Sequence, residues 1–89
     1  MTSFASAIKS IRSLTLNNDH TEARIEGCVL LGPAADGIKA QLLRIQADQQ
    51  RRHELSVLAE HQRNELDEQL QALAKVQLGD DYETFRRAF

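Results

Sequence analysis

An all-α fold follows from three features of this 89-residue sequence. From Ile38 onward the chain is almost entirely Leu, Ala, Gln, Glu, Arg and Lys, residues that lose little side-chain freedom in a helix. Between Gly37 and Gly79 there is no glycine and no proline. The apolar residues recur mostly at intervals of three and four, the spacing of one helix face. Together these predict one small domain over residues 1–89: two short N-terminal helices, a long helix over 33–78 with a polar middle, and a short C-terminal helix.

The first helix starts at Ser3, a good N-cap, and places Phe4, Ala7, Ile8, Ile11 and Leu14 or Thr15 on one side. Leu16-Asn17-Asn18-Asp19 interrupts it, because Asn and Asp side chains bond their own backbone and favour turns. Asp19 and Glu22 have the spacing of a capping box for a second helix running to Leu31, where Gly32 suits the close and Pro33 cannot continue it. A strand competes for this segment, since Ala23, Ile25, Gly27 and Val29 alternate with Arg24 and Glu26, and Gly27 weakens a helix by roughly 1 kcal/mol relative to Ala. The helix is preferred because a lone strand has no second strand to pair with.

Pro33 suits the first position of the long helix and Asp36 complements its dipole. Ile38, Leu42 and Ile45 begin an apolar stripe that stops at Gln46 and resumes at Leu55, Leu58, Ala59, Gln62, Leu66, Leu70, Leu73 and Val76 or Gln77. A continuous helix of this length would reach roughly 65 Å. A compact domain of the same size has a radius of gyration near 12 Å. Two arrangements resolve the conflict. One is an extended rod whose leucine seam meets another chain, as a helical bundle or coiled-coil-like dimer. The other is a hairpin with its tip between Gln49 and His53. The rod is preferred, because residues 46–54 contain no Gly, Pro or Asn to end a helix. Gly79 closes the long helix, and Asp80 with Glu83 repeats the capping-box spacing. Tyr82, Phe85 and Phe89 then share one side of the last helix.

A formal net charge of −2 argues against general nucleic-acid binding, which needs a basic surface to displace counterions from phosphate. Charge is uneven: residues 1–45 carry five basic and four acidic side chains, and residues 46–89 carry six and nine. Cys28 is the one cysteine, so an intramolecular disulfide is excluded and a reducing, cytoplasmic setting is expected. The longest strictly apolar run, Cys28 to Leu31, is far too short to span a bilayer. The first eighteen residues hold four serines, Lys9, Arg12 and no acid, superficially like a targeting segment, but lack the stronger basic bias of one.

Catalytic chemistry finds no footing. His53 and His61 lie about 12 Å apart along a helix, too far for one ion, and His61 with Glu65 supplies only two ligands. Glu65, Asp67 and Glu68 point in different directions around a helix, so they read as a solvated face. There is no phosphate loop or nucleophile motif. The expectation is a non-enzymatic protein-binding module without metal or cofactor: a small adaptor, a chaperone or co-chaperone, or an inhibitor of a larger protein. Its partner is another protein or a second copy. Leu55, Leu58, Leu66, Leu70 and Leu73 are the seam candidates; Tyr82, Phe85 and Phe89 either plug one end of the bundle or are the candidate anchors, since aromatic residues dominate many interfaces. The alternative is a dimeric nucleic-acid-binding regulator using Arg44, Arg51 and Arg52, whose field Asp48 and Glu54 dilute.

Overall fold

A computed structural model of the chain describes residues 3–52 and 57–89, with the side chain of Arg52 excepted. The described residues form five α-helices in order: α1 (Phe4–Leu16), α2 (His20–Leu31), α3 (Asp36–Arg52), α4 (Val57–Leu78) and α5 (Tyr82–Arg87). Short 3₁₀ turns, Gly32–Ala35 and Gly79–Asp81, lead into α3 and α5. Among the described residues no strand forms, so the competing extended reading of residues 20–31 is set aside.

Local signals place most of the helix ends. Ser3 accepts from the Ser6 N–H at 3.2 Å and Asp19 from the Glu22 N–H at 3.4 Å. The reciprocal half of that second box is replaced: the Asp19 N–H donates to Leu14 O at 2.9 Å, and Glu22 accepts from Gln46 instead. Gly32 and Gly79 carry φ of 81° and 56°, which L-residues with side chains rarely adopt, and each closes a helix. Around α5 the expected Asp80–Glu83 box is absent, because α5 has no side-chain cap and Glu83 is drawn to Arg86 at 2.5 Å.

The long helix expected over 33–78 is instead two helices that pack against each other, α3 and α4. The 3₁₀ turn that precedes α3 also touches α4, so the chain doubles back rather than running on. The molecule measures 38 × 23 × 22 Å with a radius of gyration of 12.6 Å, far short of a continuous rod. The hairpin reading is therefore the arrangement found, with Gln49 to Arg52 inside α3 rather than at its tip. Residues 53–56 lie outside the described residues. What outweighs unbroken helix propensity is burial: the fold brings Leu66, Leu70 and Ala74 of α4 against the N-terminal half and removes them from water. Each fully buried Leu contributes roughly 2 kcal/mol, against about 1 kcal/mol for each net hydrogen bond forgone at a turn.

The polar middle is likewise less exposed than a solvated bridge. Gln49 is half-buried, its Oε1 accepting from the Thr21 hydroxyl at 3.0 Å, and Gln46 is bonded to Glu22. The amides thus fasten α3 antiparallel to α2. The core has α2 at its centre, with α1, α3 and α4 all packed on it. Phe85, Ile11, Leu42, Leu66, Leu70 and Cys28 are its largest fully buried side chains.

Candidate interaction surface

The central helix α2 decides what the C-terminal segment can do. Gly27 lies where a Cβ would stand 2.9 Å from Phe89 Cζ, 3.3 Å from Phe85 Cζ and 3.4 Å from Leu70 Cδ2. A glycine that costs helix propensity is therefore the seat of the aromatic cluster. The Phe85 and Phe89 rings meet edge to face at 5.1 Å and 63°, a favoured geometry for aromatic pairs. Arg24, one turn before Gly27, holds its guanidinium 6.0 Å from the Phe89 centroid and donates to His20 O at 3.0 Å. Its Nε stands 3.1 Å from Asp67 Oδ1 on α4 without the alignment of a hydrogen bond, so that contact is chiefly charge attraction.

These placements correct the expected binding residues. Leu66 and Leu70 are spent inside the chain, as is Phe85, and Leu73, Tyr82 and Phe89 are half-buried against the same core. The rings close one end of the bundle rather than standing out as anchors. Among the described seam residues Leu58 alone is openly exposed, at 75%. Leu55 lies outside the described residues. The periodicity of the leucines was a true helix face, but nothing in spacing says whether a chain or its partner covers it.

Outside the core, large apolar side chains stand in water at Leu16, Val29, Leu43, Val57, Leu58 and Val76. Leu58 and Val76 are eighteen residues apart on α4, five whole turns, and so share one azimuth about 27 Å apart along the axis. Val76, at the end of the expected helix seam, is 83% exposed. Leu16 is 82% exposed at the end of α1, beside Arg12.

The charged candidates are more scattered. Arg44 and Arg51 are exposed seven residues apart on α3, with Asp48 between them in sequence. His61 Nε2 and Glu65 Oε1 approach at 3.2 Å on the outside of α4, while Asp67 turns inward to Arg24 and Glu68 is exposed. Burial, followed by the like charge of Arg24, lowers the pKa of Arg63. Burial pushes the Cys28 thiol up to about 11, which makes it a poor nucleophile. Among the described residues no three His, Cys, Asp or Glu side chains gather where they would hold a metal, and no helix is long and apolar enough to cross a membrane. No family model, no curated protein and no solved structure matches the chain.

Proposed function

We propose that the chain is a non-enzymatic protein-binding module, of the adaptor, chaperone or inhibitor kind, which meets its partner along the outer side of α4. The observation that supports this reading is the pair Leu58 and Val76, large apolar side chains exposed on a common azimuth. Half-buried Leu73 lies one turn before Val76, next to Ala72. Both ends of the contact would bury apolar surface at about 25 cal/mol per Å² before the costs of association. Gln62, Glu65 and Gln69 between them would supply the polar middle. A coiled-coil-like homodimer through this side is the self-associating form of the same proposal.

The test is a Leu58→Ser, Val76→Ser double variant. Both positions are exposed, so stability should stay within about 0.5 kcal/mol of wild type. Wild-type chain crosslinked in its native host, or weighed by sedimentation if it self-associates, should show a complex of defined stoichiometry that the variant lacks. An identical complex in the variant refutes the α4 assignment. A nucleic-acid-binding role has the weaker support of Arg44 and Arg51 on α3. A gel-shift series from low salt upward decides it, because phosphate contacts are strongest at low salt.

A further inference from the structure

A second surface, formed by α1 and the chain's last residues, differs in chemistry from the α4 side. A hollow along α1 is lined by Ala5, Ile8, Lys9, Arg12, Ser13, Leu16 and Asn17. A second, lined by Arg12, Thr15, Leu16, Arg87, Ala88 and Phe89, shares Arg12 and Leu16 with it, so the two run together. The Thr15 hydroxyl contact to Ala88 O, 3.2 Å, holds the two segments in register. The floor is apolar, with Leu16 almost fully exposed in the middle, and the rim is basic. None of the described residues lining either hollow is acidic. Among the described residues neither Lys9 nor Arg12 enters an ion pair, and Arg87 has only Glu83, at 3.9 Å. On its other flank Lys9 faces Glu22 and Glu26, so Arg12 and Arg87 carry most of the field.

We infer that this face docks an acidic amphipathic helix of a partner protein, an inference that rests on the protein-binding reading and adds the partner's chemistry. Charge complementarity selects the occupant. An apolar side chain of the partner enters beside Leu16 and Phe89, and Asp or Glu residues one turn away on either side meet Arg12 and Arg87. The thirteen residues of α1 extend about 20 Å, room for three to four turns of a partner helix. An anionic membrane is the poorer fit, since surface binding there takes clusters of about four to eight Lys and Arg. A second copy would have to bring acidic residues, and Glu60, Glu65 and Glu68 on α4 make that occupant one for the test to exclude.

The experiment titrates the full chain into two labelled synthetic helices with the same leucine stripe, one carrying Glu and the other Lys on its remaining faces, and reads fluorescence anisotropy. The Glu peptide should bind one to one and about tenfold or more tighter than the Lys peptide. Raising salt from about 20 to about 200 mM should weaken it. Arg12→Glu and Leu16→Ser should each weaken it about tenfold while the thermal melt stays unchanged, because both side chains point away from the α2 contact. Equal binding of both peptides overturns the inference, as does indifference to both substitutions. Self-association of wild type that Arg12→Glu abolishes overturns it in favour of a second copy. Binding to phosphatidylglycerol vesicles, lost on Arg12→Glu, in place of the peptide overturns it in favour of a membrane. The α4 double variant should bind the Glu peptide as wild type does. If the peptide is ignored while a native partner is still held through Leu58 and Val76, this inference fails and the protein-binding reading survives.

Discussion

Gly27 and Gly37 both sit within helices, and replacing each with Ala should move stability in opposite directions. On propensity alone either change stabilises by about 1 kcal/mol. At Gly37 the new methyl meets nothing within 4 Å, so the full gain is expected, a rise in melting temperature of about 4–8 °C for a domain this small. At Gly27 the methyl would start 2.9 Å from the Phe89 ring, whereas carbon atoms pack at about 3.5–4.0 Å. The ring must retreat by roughly half an ångström or more, opening the edge contact with Phe85 and the approach of Arg24. Overpacking of this kind costs about 1–3 kcal/mol, which cancels or exceeds the propensity gain. Urea or thermal unfolding of both variants measures the difference. The decisive partner experiment repeats Gly27→Ala on a Phe89→Ala background. There the closest contact is gone, those to Phe85 and Leu70 are 3.3 and 3.4 Å, and Gly27→Ala should become neutral or stabilising. If Gly27→Ala already stabilises the wild-type chain as much as Gly37→Ala does, the rings do not pack on α2 and the account of the C-terminal segment is wrong.

Four further outcomes follow from the structure. Leu66→Asp, which a surface seam would tolerate in the isolated chain, should unfold it, and Leu70→Ala should lose about 2–5 kcal/mol in urea titration, because both side chains are buried within the monomer. Cys28, with its pKa raised to about 11, is ionised in only about one molecule in a thousand at pH 8, so a thiol reagent should label it no faster than the chain unfolds. Glu83 has its pKa lowered first by the hydrogen bond from Arg86 and then by that cation's charge. Its folded value therefore lies below its unfolded one, so its contribution is present above the unfolded pKa and lost as pH falls through the folded one. Wild type should accordingly lose slightly more melting temperature on acidification than Glu83→Gln does. The difference should vanish at high salt, since the pair is exposed.

Much of the secondary structure was readable from local chemistry. Ser3, Asp19, Gly32 and Gly79 mark helix ends through contacts a few residues long, and the inward faces of α1 and α4 are written in the spacing of their apolar residues. The break between α3 and α4 was not readable, because no residue in that stretch forbids a helix. It is imposed by the burial that doubling back makes possible. The candidate surface suffered the same ambiguity. A stripe such as Leu66 and Leu70 looks identical whether its own chain or another covers it, so the residues left outside, Leu16, Leu58 and Val76, emerged only once the stripe had been used.

Helix type and the helix termini closed by local caps depend on neighbours three or four positions away, and the order of the amino acids specified those. The hairpin, the aromatic cluster seated on Gly27 and the division of leucines between interior and surface were settled by contacts between residues tens of positions apart. Such contacts turn on complementary shape across helices, a quantity that one-dimensional periodicity does not contain.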